Sequence, residues 1–273
     1  MIDHGIVGVV EGPWRTSWTT DDALRYAVAV GAGELAFATE NSEEVPQQAL
    51  PTFALALTHF TEPEQSFGDV DKAMILHAEQ SLTVHRPLPV AGVIEVRRTV
   101  TDILDKGSGA LVRSTVEAHD AESGEPAFTA DSSVFLRGEG GFGGDRGRSA
   151  PSVVPDGEPD AVLRFTTSPN QALLYRLCGD RNRLHSDPVY AARAGFPRPI
   201  LHGLCTYGIT CRLLIDEFLD GDAHRLSAIR GRMTAPVFPG DELVVSAWRR
   251  EPDVLFRTST ADGTVVIDHG WLV

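Results

Sequence analysis

The chain of 273 residues is poor in cysteine, in basic residues and in long apolar runs, and each shortage removes a class of function. Cys178, Cys205 and Cys211 are an odd set without a C-x-x-C pair, so neither a disulfide framework nor a zinc finger is implied. Small buried thiols in a reducing compartment are the expected state. Lysine and arginine number 24 against 38 acidic residues, a formal net charge of −14. That balance argues against nucleic acid or an anionic membrane as main partner, because both need a basic face. No segment approaches the roughly 20 apolar residues of a membrane span. The opening MIDHGIVGVVEGPW has neither the basic leader nor the apolar run of a signal peptide, and the final WLV is no peroxisomal address. A cytoplasmic protein is expected. There is no G-x-S-x-G elbow or P-loop, and GEGGFGG (138–144) lacks the following helix that a dinucleotide loop needs.

What is present is a repeat. Residues 21–30, DDALRYAVAV, read as a helix with acids in its first turn and Gly31 just past its end. LPTFALALTHF (50–60) is apolar almost all round, the pattern of a buried helix. Period-two strands rich in Val, Ile and Thr follow at 81–86, 93–103, 110–119 and 128–136. Residues 137–160 are rich in glycine, proline and charge, and read as a linker.

The second half begins with a capping box, Ser168-Pro169-Asn170-Gln171, opening a helix that runs to Gly179. Asp187-Pro188 caps a short helix, VYAARA, stopped by Gly195. A long apolar helix is expected over 204–219, with strands at 226–233, 242–248, 254–260 and 265–273. Tyr26 and Tyr175, Leu50 and Leu201, and Pro87 and Pro236 each stand about 150 residues apart, in the same order. An internal duplication is the reading: an α+β chain with an N-terminal repeat over 1–137, a linker over 138–160 and a C-terminal repeat over 161–273.

The copies differ where chemistry would sit. After its tyrosine helix the second has Gly-Asp-Arg-Asn-Arg-Leu-His (179–185), whereas the first has Gly-Ala-Gly-Glu-Leu-Ala (31–36). Asp180 and His185 share a loop between helices. A carboxylate and an imidazole converging on one cavity can hold a water, the first accepting its proton and the second orienting it or returning a proton. Asn182 could position either group, and Asp187 suits the cap of the next helix. Gly203 opens the long apolar helix, where a backbone N–H at the positive end of the dipole can hold a developing oxyanion. The same residues admit plainer readings. Asp180 and His185 could merely brace a tight loop. Asp180, His185, Asp187 and His202 could ligate a metal, although their spacing matches no zinc signature. Gly203 could be glycine only for close packing.

YRLCGDRNRLHSDPVYAARAGFPRPILHGLCTYG (175–208) strongly resembles the hydratase-2 motif of the MaoC-like (R)-specific enoyl-CoA hydratases. LPTFALAL, HAEQSLTVHRPLPVAG, DKGSGALV and LRGEGGFGG resemble the N-terminal half of the two-repeat members. The resemblance implies a double hot-dog, each unit a long helix wrapped by an antiparallel sheet, and a homodimer. It implies Asp180 and His185 as the catalytic pair, Asn182 in support, Gly203 N–H on the thioester carbonyl, and Glu40 as a further acid. The implied reaction is reversible syn addition of water to trans-2-enoyl-CoA, giving (R)-3-hydroxyacyl-CoA, with no cofactor and no metal. Dehydration of a 3-hydroxyacyl group on acyl carrier protein or another thioester, and a non-catalytic acyl-CoA-binding subunit, are the alternatives. For the polyanionic coenzyme A, Arg198, Arg230, Arg232 and Lys106 are candidates, and His202 joins them as a substrate contact. Cys178 stands where the family has serine, a small-for-small change expected to be tolerated; Arg183 stands where it has proline, which puts rate or substrate preference, more than reaction type, in question.

Overall fold

The structure is a computed structural model describing residues 1–60, 65–148, 155 and 157–273. Ten strands form one antiparallel sheet, and its order displays the duplication. The first half supplies β1 (Val10–Trp18), β2 (Ile75–Val84), β3 (Gly92–Asp105), β4 (Gly109–Asp120) and β5 (Pro126–Arg137). The second supplies β6 (Ala161–Thr166), β7 (Ala228–Met233), β8 (Glu242–Arg250), β9 (Asp253–Thr260) and β10 (Val265–Leu272). The order is β1-β3-β4-β5-β2-β7-β10-β9-β8-β6. Read outward from the β2–β7 seam, each half repeats the same sequence of strands. That arrangement, with helices packed on the sheet, is the double hot-dog.

Helices differ between the halves more than strands do. The first half has α1 (Thr20–Ala29), α2 (Leu35–Ala38) and α3 (Phe53–His59); the second has α4 (Gln171–Tyr175), α5 (Pro188–Arg193) and α6 (Gly203–Phe218). Four of the residues α6 exposes least, Ile209, Cys211, Leu214 and Ile215, show no accessible surface, so this helix fills its half as an all-round apolar core element. Its counterpart α3 spans 7 residues against 16. The sequence suggested a helix over 50–60. Instead Pro51 and Thr52 form a turn first, because proline restricts the residue before it, and the helix ends at His59.

Buried polar contacts tie the halves together. The Gln171 side-chain amide donates to the Ala29 carbonyl at 2.7 Å, and Arg212, 4% exposed, donates to the Val30 carbonyl and pairs with Glu34. Tyr26 and Tyr175, matched in the repeat, meet edge-on at 6.1 Å between ring centroids.

Several expectations need correction. β1 and β6 were not anticipated: β1 carries Gly12-Pro13, which reads as a turn but forms a bulge against β3, and β6 is a six-residue edge strand. β2 begins at Ile75 rather than at 81, since residues 75–79 are all partly exposed and show no alternation. The capping box at Ser168 is half formed. Gln171 accepts from the Ser168 N–H, but the Ser168 hydroxyl donates to Asn170 instead. Within the expected linker, Gly141 and Gly143 donate backbone N–H groups to the Asp105 carboxylate, so this glycine run is a packed loop. Residues 149–154 and 156 of that linker lie outside the described residues.

Candidate active site

The loop from Gly179 to Asp187 is shaped by backbone demands, and these aim its side chains. Gly179 has φ +126°, and a Cβ there would lie 2.7 Å from the Phe60 Cβ, so no side chain fits. Gly179→Ala is expected to lower stability by about 1–3 kcal/mol in urea unfolding, from strain and overlap together. Asp180 Oδ1 accepts the Asn182 N–H, and Asn182 Oδ1 accepts the Leu184 N–H, starting a 3₁₀ turn over Arg183–His185. Asp187 caps α5, accepting from the Val189 and Tyr190 N–H groups.

That turn points His185 inward, 9% exposed. Its Nδ1 lies 2.9 Å from the Ile200 carbonyl, which can only accept, so Nδ1 carries the proton and Nε2 presents a lone pair. Nε2 stands 4.0 Å from Asp180 Oδ2, and His202 Nε2 stands 3.9 Å from the same oxygen. The two imidazoles stack at 3.7 Å, and Tyr175 packs on His202 at 4.9 Å. Burial pushes the Asp180 carboxyl above its usual range, against the pull of His185 and of the Asn182 N–H. Burial likewise pushes His185 down, with Asp180 opposing, and holds His202 well below its usual value. Two neutral rings therefore face a carboxyl whose ionisation is disfavoured. Gly203, first residue of α6, completes the group with a backbone N–H that has no partner inside the helix.

These residues line one cavity of about 1190 Å³. Its first-half wall includes His59, Phe60, Phe67, Ile75, Leu76, His77 and Phe135; the second-half wall holds Asp180, Asn182, His185, His202 and Gly203. His59, the last residue of α3, and Gly203, the first of α6, both border this cavity. Asp180, His185 and His202 could in principle share a cation, their donor atoms lying within 4.8 Å of one another. The stacking of the two rings opposes this, because lone pairs of parallel rings do not converge on one point.

Five candidates from the sequence lie outside the cavity lining. Glu40 sits in the bend after α2. Lys106 donates to the Arg146 carbonyl. Arg198 donates to the Pro239 carbonyl and stacks on Phe238. Arg232 is bound by Glu79 across the β2–β7 seam, and Arg230 lies over Trp271. His202 lines the cavity, but both its ring nitrogens are closed off and lack a hydrogen-bond partner among the described residues, so it backs His185. Lining residues that sequence reasoning missed are His59 and His77 on the first-half wall, and Lys72, Arg137 and Arg181 among the cations. A lone histidine ending an apolar helix and another in a strand carry no spacing signal.

Burial lowers His59 to about 4 and His77 to about 3. The unfolded chain takes up these protons near pH 6.5 and the folded one does not. Stability is therefore full above pH 6.5 and declines as pH falls toward 4 and then 3. The slope is bounded by about 1.4 kcal/mol per pH unit for each histidine. Urea midpoints taken from pH 7.5 to 4.5 check this, and His59→Gln/His77→Gln should flatten the decline.

Comparison with known proteins agrees with both halves. A family model described as MaoC like domain matches residues 151–270, and one described as MFE-2 hydratase 2 N-terminal domain matches 17–138. The chain is 46% identical to 3-hydroxyacyl-thioester dehydratase Y of Mycobacterium tuberculosis, over 98% of this chain and 97% of that one. It is 43% identical to Enoyl-CoA hydratase ChsH3 of the same organism, over 96% and 94%. The crystal structure of a MaoC-like dehydratase from Phytophthora capsici superimposes with a TM-score of 0.88 at 33% identity, covering 100% of this chain and 97% of that one. With matched models on both halves and relatives of nearly equal length, the chain belongs to the MaoC-like hydratase 2 family.

Proposed function

We propose that the protein is a hydro-lyase adding water reversibly to trans-2-enoyl-CoA, giving (R)-3-hydroxyacyl-CoA. The observation that carries this reading is the 4.0 Å gap between Asp180 Oδ2 and His185 Nε2, facing the Gly203 N–H in a cavity with apolar walls. A water about 2.8 Å from each atom bridges that gap, donating one hydrogen to each. Both oxygen lone pairs stay free, and one of them attacks C3.

Asp180 takes one proton as the water oxygen bonds to C3; the C2=C3 electrons move toward the carbonyl, and the enolate oxygen accepts the Gly203 N–H. Asp180 then returns the proton to C2 as the enolate collapses, which regenerates the carboxylate. Both additions come from one face, so the outcome is syn. His185 needs no net proton change, in keeping with its neutral, anchored ring. Asn182 holds Asp180 in place. The apolar tail lies along Phe60, Phe67, Ile75 and Phe135, so the first repeat (1–137) shapes the tail and the second (161–273) performs the chemistry, with 138–160 joining them.

The relatives are named for hydration of a CoA thioester and for dehydration of a 3-hydroxyacyl thioester, two directions of one reaction. Incubation with crotonyl-CoA and longer trans-2-enoyl-CoA thioesters should yield the 3-hydroxyacyl product. Turnover of carrier-protein thioesters alone would favour the carrier-protein reading. Thermal stabilisation by enoyl-CoA without turnover would favour a non-catalytic subunit. The same proposal includes a cytoplasmic homodimer: the three cysteines are free, and Val28, Leu173 and Leu177 leave an apolar patch 46–51% exposed on the outer helices. Light scattering tests the dimer. Among the described residues, no helix is long and apolar enough to cross a membrane.

A further inference from the structure

Arg183 occupies the position where the hydratase-2 pattern has proline, between the two proposed catalytic side chains. Its guanidinium is fixed without being consumed. Asp187 Oδ2 accepts from Nη2 at 2.7 Å and from Nε at 3.3 Å, and the plane lies over the Tyr190 ring at 5.0 Å. Nη1 has no acceptor among the described residues. The side chain is 66% exposed, yet the residue lines the cavity, which puts it at the rim. Arg193 lies over the same Tyr190 ring at 4.7 Å and binds Asp71 of the first half, so a second guanidinium stands beside that of Arg183. Arg181 and Lys72 also line the cavity. A chain of net charge −14 repels anions in general, so a guanidinium with an open edge at the cavity rim gives an anion a local point of attraction.

We propose that Arg183, pre-set by Asp187 and Tyr190, binds a phosphate of the carrier that delivers the acyl group. The assignment rests on the enoyl-thioester reading above. A planar fork with one edge held by a carboxylate and the other open suits a phosphate oxygen pair, and loses little rotational freedom on binding. Two phosphate sources share this chemistry: the nucleotide of coenzyme A and the phosphopantetheine arm, which carrier proteins also bear.

The test compares wild type, Arg183→Ala and Arg183→Lys on the same enoyl group carried by coenzyme A, by 4′-phosphopantetheine and by unphosphorylated pantetheine. In Arg183→Ala, KM for enoyl-CoA relative to enoyl-pantetheine should rise about tenfold, the value of one charge-assisted contact, with lysine recovering part of it. A rise confined to coenzyme A supports the proposal and assigns the nucleotide phosphates; an equal rise on phosphopantetheine supports it and assigns the arm. An equal change on all three carriers, or none, overturns it and leaves Arg183 a brace for its loop. Failure of the wild type to turn over any of the three would instead overturn the thioester reading itself.

Discussion

Asp180→Asn should lose hydration by about 10²–10⁴-fold while the folded protein becomes more stable. The amide keeps the shape of the carboxylate and its acceptor for the Asn182 N–H, but cannot take a proton from water. Stability moves the other way because burial raises the Asp180 pKa above its value of 3.8 in the unfolded chain. A group shifted in that direction contributes stability fully below pH 3.8 and loses it as pH rises through the raised folded value. At neutral pH its ionisation opposes folding, and the amide removes that opposition. For a chain of this size Tm should rise about 2–4 °C for each kcal/mol gained. The same shift sets the rate profile: kcat/KM for hydration should fall on the acid side at a pH above the ordinary carboxylate range. Turnover close to wild type in both Asp180→Asn and His185→Ala would remove these residues from the chemistry.

Gly203→Ala should separate activity from folding in the same way. A Cβ at Gly203 would come no closer than 3.4 Å to Met233 Cγ and 3.8 Å to His77 Cβ, so packing alone does not demand glycine. Helix propensity favours alanine by up to about 1 kcal/mol. Both neighbours line the cavity, however, and the added methyl enters the space before the N–H where the thioester oxygen must sit. A displacement of about 1 Å there costs on the order of 10²-fold in rate. Wild-type activity in Gly203→Ala would place the oxyanion elsewhere, and an unfolded Gly203→Ala would restore the close-packing reading.

The candidate catalytic residues were readable because their loop breaks pattern. Ionisable groups in irregular backbone before an apolar helix stand out, and comparison of 179–185 with 31–36 showed that the fold does not require them. The repeat was readable from Tyr26 and Tyr175, Leu50 and Leu201, and Pro87 and Pro236, and these sit at matching points of the two halves. β1 and β6 are equivalent edge strands that escaped for different reasons: β1 carries Gly12-Pro13, which an edge strand with one neighbour tolerates, and β6 is only six residues long beside a segment rich in glycine and proline. The shortness of α3 was hidden because apolar residues over 50–60 satisfy a buried turn as well as a buried helix.

The basic residues are harder to read for a different reason. Sequence shows charge without showing who neutralises it, and Arg232, Arg198 and Lys106 have partners on the protein itself. Arg183 also has one, but it binds through one edge only. The Asp187 cap was legible in the sequence, but its second bond to the guanidinium and the Tyr190 ring beneath it were not.

The central claim is that one water, held between Asp180 and His185, adds across an enoyl thioester from one face. Hydration of trans-2-enoyl-CoA in deuterium oxide tests it most directly, with the product resolved at both carbons. The expected product is (R)-3-hydroxyacyl-CoA with a single deuterium at C2 on the same face as the new hydroxyl. An (S) product, deuterium on the opposite face, or no hydration at all would contradict it.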